Sequence, residues 1–159
     1  MKRYISILSM FLMMALAQPA SAYWPTTLEE NLVIAADPQL YESYCKALPY
    51  PDGQTLVVLL AEGTGTCYQI IDRYGEFVYP ELESVAPGLE ELCFGQPKLI
   101  ADGEGGAFIV WYTTPYCANP AIYAQRLDSL GNRLWGDSAV VIYPERNTDY
   151  DISIDGEGG

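Results

Sequence analysis

The chain is 159 residues long, with 8 basic and 21 acidic residues, no histidine and a formal net charge of −13. That length suits one domain, and a half-apolar chain with 18% charged residues has the composition of a packed core, not of a disordered tail. The charge excludes a nucleic-acid partner, because phosphate binding needs clustered Lys and Arg. The missing histidine excludes Ser-His-Asp and Cys-His nucleophile systems and His-ligated zinc.

Lys2 and Arg3 precede an apolar run from Tyr4 to Leu16, followed by Gln18, Pro19 and Ala20-Ser21-Ala22. This is the charged, apolar and small-residue order of a secretory signal peptide, with cleavage predicted after Ala22. A membrane anchor is the weaker reading, since the apolar run falls well short of the roughly 20 residues that a span needs. Cleavage removes Lys2 and Arg3 and no acid, so the mature chain is more acidic still. No cysteine stands at the cleavage point, which speaks against a lipoprotein, and no second apolar span follows. The product is therefore expected to leave the membrane.

The mature part carries an internal repeat of about fifty residues. Asp102-Gly103-Glu104-Gly105-Gly106 recurs as Asp155-Gly156-Glu157-Gly158-Gly159, and Asp52-Gly53-Gln54 is a degenerate earlier copy. Gln69-x-Ile71-Asp72-x-x-Gly75-x-x-Val78-Tyr79 matches Gln125-x-Leu127-Asp128-x-x-Gly131-x-x-Leu134-Trp135. Cys67 and Cys117 are 50 residues apart, and Cys45 and Cys93 are 48 apart.

Taken in chain order, residues 1–22 form the signal peptide and residues 23–44 an N-terminal segment. Within that segment Asn31-Leu32-Val33-Ile34-Ala35 reads as an outer strand available to close a ring. Residues 45–92 form the first copy, with Leu56 to Leu60 as its second strand. Its acidic tail, Pro80 to Leu92, is the one stretch ambiguous between helix and loop. Residues 93–148 form the second copy. Its first strand is Pro97 to Ala101, and the Asp-Gly turn leads into a second strand from Ala107 to Tyr112. The third strand is Ile122 to Leu127, and Arg133-Leu134-Trp135 begins the fourth. Residues 149–159 open a third copy, in which Tyr150-x-Ile152-x-Ile154 has the period of a first strand.

All-β is the expected class. The second strand of each copy is continuously apolar, so both of its faces should be buried. A four-stranded sheet held between two like sheets meets that demand, as in a propeller blade. The expected fold is a partial β-propeller: about two four-stranded antiparallel blades plus the start of a third. Two blades cannot close a ring of about four to eight, so the chain is expected to be the N-terminal fragment of a longer protein.

Asp-Gly-Glu-Gly-Gly-Ala-Phe-Ile-Val-Trp at 102–111, followed by Ile-Tyr-Ala-Gln-Arg-Leu-Asp-Ser-Leu-Gly-Asn-Arg-Leu-Trp at 122–135, resembles the repeat of large secreted bacterial β-propeller-like proteins. Many of these carry a C-terminal sorting domain for type IX secretion. The resemblance covers residues 45–159, is closer in the second copy than in the first, and implies a blade fold and a secreted or surface location. It implies no chemistry, and no sorting domain stands in this sequence.

Four cysteines in an exported chain suggest disulfides. Cys45 with Cys67, and Cys93 with Cys117, each flank a hairpin symmetrically, and these are the expected pairs. The rival pairs equivalent positions of neighbouring copies, Cys67 with Cys117 and Cys45 with Cys93. Asp102, Glu104, Asp155 and Glu157 are the calcium candidates, since calcium takes carboxylate and carbonyl oxygens. Tight-turn chemistry is the favoured reading of the same residues, with Asp bonding its own backbone. No other cofactor is expected.

No catalytic constellation is visible. Mature-chain arginines are confined to Arg73, Arg126, Arg133 and Arg146, and Arg126 and Arg133 fall on outer strands. Trp111 and Trp135 are expected to pack between blades, and Trp24 is uncommitted. The function expected is a secreted or cell-surface binding or scaffold module for an extracellular ligand, glycan or protein. The alternative is part of a propeller-type extracellular glycan hydrolase.

Overall fold

The structure is a computed structural model, and it describes residues 34, 42–61, 64–89, 95–113, 120–145 and 149–155. The strands are β1 (Glu42–Pro49), β2 (Thr55–Ala61), β3 (Gly65–Ile71), β4 (Glu83–Ser84), β5 (Lys98–Ala101), β6 (Ala107–Tyr112), β7 (Ile122–Leu127) and β8 (Val140–Tyr143). They form two four-stranded sheets, ordered β1-β2-β3-β4 and β5-β6-β7-β8, with every pair antiparallel. The all-β class expected from the periodicity is found, with no helix among the described residues. The acidic stretch after Pro80 supplies the short strand β4 and then the buried Val85 and Ala86.

The two sheets share one strand order, and their inner strand pairs have equivalent register. Thr55 opposite Ile71 in sheet 1 answers Ala107 opposite Leu127 in sheet 2, which puts Gln69 and Gln125 in the same place. The isolated bridges Ile71 to Phe77 and Leu127 to Arg133 are also equivalent. Burial follows the apolar pattern. Strands β2, β3, β6 and β7 are buried along most of their length, while β8 is exposed throughout.

The main core lies between the sheets. Leu56, Val58, Tyr68 and Ile70 of sheet 1 meet Ile109, Trp111, Tyr123 and Leu127 of sheet 2, and the buried Val85 and Ala86 belong to the same cluster. The opposite face of sheet 1, with Val57, Leu59, Ala61, Cys67 and Ile71, packs against Ile34 and Leu82. The opposite face of sheet 2, with Val110, Ile122 and Ala124, packs against Tyr112, Tyr150 and Ile152. Both faces of the inner strands are thus covered, as their unbroken apolar runs require.

Three expectations need correction. The fourth strand of sheet 2 is Val140–Tyr143, not a strand beginning at Arg133. Residues 133–135 are the return arm of a turn, because Gln125 takes the Trp135 N–H that a strand ladder would use. Trp135 is 39% exposed, tilted against Phe108 at 5.6 Å, whereas Trp111 is fully buried and stacked on Tyr123. Cys45 and Cys67 are both free. Cys45 falls in the register irregularity of β1 between Ser43 and Lys46, Leu59 of β2 lies opposite Cys67, and the central strand separates the two thiols. Two strand spacings amount to about 10 Å, beyond the roughly 7 Å limit between Cα atoms that a disulfide tolerates.

Cys93, Cys117, Trp24, Glu157 and the signal segment with Ala22 lie outside the described residues, as does the 31–35 strand except for Ile34, which sits in a bend. Tyr150, Ile152 and Ile154 make no strand pairing among the described residues, yet Tyr150 and Ile152 face sheet 2 as Leu99 faces sheet 1.

Candidate functional site

The Asp-Gly turn between β5 and β6 shows how its acids are used. Asp102 Oδ1 accepts the backbone N–H groups of Glu104 and Gly106, both at 2.8 Å. Arg126 on β7 donates through Nε to Asp102 Oδ2 at 2.8 Å and through Nη2 to Glu104 Oε2 at 2.7 Å. Burial pushes the Asp102 carboxyl upward, but Arg126 and the two backbone N–H groups outweigh it and hold its pKa below the ordinary carboxylate value. A Cβ at Gly106 would fall 2.1 Å from the Leu127 carbonyl oxygen, so the turn closes onto β7 only with glycine there.

This is turn chemistry. Asp102 and Glu104 converge on a guanidinium, which occupies the place a cation would take. Asp155 is exposed. Among the described residues, no three His, Cys, Asp or Glu side chains gather in a group that could hold a metal.

The second repeated device follows β3 and β7. Asp72 Oδ1 accepts Tyr74 N–H and Glu76 N–H, and Asp128 Oδ1 accepts Leu130 N–H and Asn132 N–H. Gln69 Oε1 accepts Tyr79 N–H while its Nε2 donates to the carbonyls of Tyr79 and Glu81. Gln125 does the same for Trp135 N–H and the Gly136 carbonyl, and reaches the Val85 carbonyl of sheet 1 at 3.3 Å. The matched Gln, Asp and Gly positions are therefore structural pins.

Where these turns meet, the seam between the sheets opens into a groove of about 330 Å³. Tyr68 and Tyr79 line it, with their rings edge to face at 5.8 Å. Tyr68 Oη donates to the Gly131 carbonyl at 2.8 Å, and Tyr79 Oη donates to the Leu130 carbonyl. Burial pushes both phenols above the ordinary tyrosine value. Gly131 has φ +81°, and a Cβ there would meet Tyr79 Oη at 2.3 Å, so the approach of the sheets depends on this glycine.

Arg133 lies along the groove wall. Its Nη1 donates to the Ser84 carbonyl at 3.0 Å and stands 3.9 Å from Glu83 Oε2, and its Nε is 3.2 Å from Asp137 Oδ1. Asn132 completes the polar rim. None of Tyr68, Tyr79, Glu83, Asn132, Arg133 and Asp137 was singled out as a site in the sequence. Only the recurrence of Gly131 beside Asn132 and Arg133 could have pointed there.

No family model, no curated protein and no solved structure matches the chain. No helix of the described residues is long and apolar enough to cross a membrane.

Proposed function

We propose that this chain is a secreted or cell-surface binding or scaffold module of a β-propeller repeat protein, its two sheets being consecutive blades. One observation carries the reading. The two sheets repeat the same strand order and the same Gln and Asp pins, and they stack so that both faces of the inner strands are covered. Tyr150 and Ile152 begin the same packing again on the far face of sheet 2. Such stacking supports propeller geometry, and the resemblance of residues 102–111 and 122–135 to secreted bacterial propeller repeats supports it further.

The binding role rests on how the polar side chains are used. Asp102, Asp128, Gln69, Gln125 and Arg126 are spent on turns and on holding strands, which suits a rigid display surface. The seam groove is a concave polar feature on that surface.

The test has two parts. Expressed with its leader in a bacterial host, the protein is expected outside the cytoplasm with Tyr23 at its N-terminus by Edman sequencing; an intact Met1 on cytoplasmic protein refutes export. Incubated with extracellular polysaccharide, it is expected to be retained without releasing reducing sugar. Release of sugar by the purified chain would replace this reading with the glycan-hydrolase alternative.

A further inference from the structure

The seam groove has a charge pattern that selects among ligands. One guanidinium, Arg133, lies between two carboxylates, Glu83 at 3.9 Å and Asp137 at 3.2 Å. An anion at Arg133 is repelled by the two carboxylates paired with it, in a chain whose formal net charge is already −13. A metal cation approaching the carboxylates meets the guanidinium wedged between them, and guanidinium does not lose its proton. A large apolar ligand finds mostly polar walls, with both tyrosine hydroxyls already donating to Leu130 and Gly131.

What remains is a neutral ligand that donates and accepts at once. Adjacent hydroxyls do so: they donate to the Glu83 and Asp137 oxygens and accept from Arg133 and Asn132. These two carboxylates are 41% and 72% exposed, so they are open to a ligand from solvent. A volume of about 330 Å³ lies at the small end of ligand pockets and suits one or two sugar rings. The groove is also built from both sheets, so it exists only when they are stacked.

We propose that the groove lined by Tyr79, Glu83, Asn132, Arg133 and Asp137 is a binding site for a neutral saccharide, held through its vicinal hydroxyls. The proposal rests on the binding-module reading and names the ligand class of that module.

The test uses the full chain and a panel of glucose, galactose, mannose, N-acetylglucosamine and their disaccharides. Glucuronate and sialic acid form the charged arm, and glycerol the simple-polyol arm. Saturation-transfer NMR detects binding and calorimetry measures it, for the wild type and for the double variant Glu83→Gln, Asp137→Asn. Both substitutions are on exposed side chains, and the melting temperature of the variant is measured alongside.

At least one neutral sugar is expected to bind, with affinity falling about tenfold or more in the double variant as charge-assisted hydrogen bonds are lost, at unchanged melting temperature. Binding that is equal in wild type and variant overturns the seam site and leaves the module reading standing. Binding of the charged sugars alone, glycerol binding as tightly as any sugar, or no binding at all overturns the proposal. Hydrolysis of a bound disaccharide overturns the module reading and this proposal with it.

Discussion

Asp102 is 2% exposed and carries one turn, one ion pair and the junction of three strands. Its folded pKa lies below the ordinary value, so it binds its proton less readily folded than unfolded. The stability this contributes is complete above the unfolded pKa and is lost as the pH falls through the folded value. Asp102→Asn is therefore expected to cost about 2 kcal/mol at pH 7, a loss that shrinks as wild type and variant are compared below about pH 4. Urea titrations at both pH values check it, and a loss that does not depend on pH counts against the ion pair. Gly131 offers a second test. Gly131→Ala introduces both a strained φ and a collision with Tyr79 Oη, and is expected to cost about 2 kcal/mol, whereas Gly103→Ala, with a positive φ but no atom within 4 Å, should cost less. Thiol chemistry is predicted with equal directness. Burial, aided by Glu83, raises the Cys67 thiol to about 11. Iodoacetamide at pH 8 should label the exposed Cys45 and spare Cys67 until the chain is unfolded, as peptide mass mapping will show.

At the scale of elements, the turn after each third strand is held by a side chain in place of a ladder. Gln125 is fully buried and serves Trp135, Gly136 and Val85. Gln125→Leu keeps the bulk but leaves those buried groups unpaired, with an expected cost of about 3 kcal/mol. The Trp135 amide should then exchange with solvent at an increased rate by hydrogen-exchange NMR, while amides in the centre of β6 stay protected. Equal loosening of both would mean that Gln125 holds the whole sheet and not the return arm. The edge of sheet 2 has a different character. Val140, Val141, Ile142 and Tyr143 are all about half exposed on the outermost strand, the kind of edge that natural sheets cover or charge.

At the scale of the whole molecule, stability depends on the contact between the sheets. Trp111 stacks on Tyr123 inside a core drawn from both. Trp111→Ala is expected to cost about 3–5 kcal/mol. Because the core is shared, the two sheets should still melt in one transition, with the fluorescence and far-UV dichroism curves coincident. Two separated transitions would show that the sheets fold independently. The seam adds specificity to this apolar contact, since Tyr68, Tyr79 and Arg133 each bond across it to backbone carbonyls.

The strands and their pins were legible because they are short-range. Alternation and apolar runs place β6 and β7 to the residue, and Asp102 Oδ1 and Asp128 Oδ1 accept backbone N–H groups no more than four positions away. The repeat likewise revealed that two sheets of one design exist. What depended on the third dimension involves residues far apart in the chain. Leu59 intervenes between Cys45 and Cys67 only through strand register, and symmetry about a hairpin cannot reveal an intervening strand. Trp135 and Trp111 look alike in sequence, but one ends up on the return arm and the other in the shared core. The groove belongs to neither copy, since Tyr79 and Glu83 come from one sheet and Arg133 and Asp137 from the other. Local hydrogen bonds and periodicity depend on neighbours in the chain, whereas a site at a seam depends on which faces meet, and that is decided only when the two sheets bury their apolar surface together.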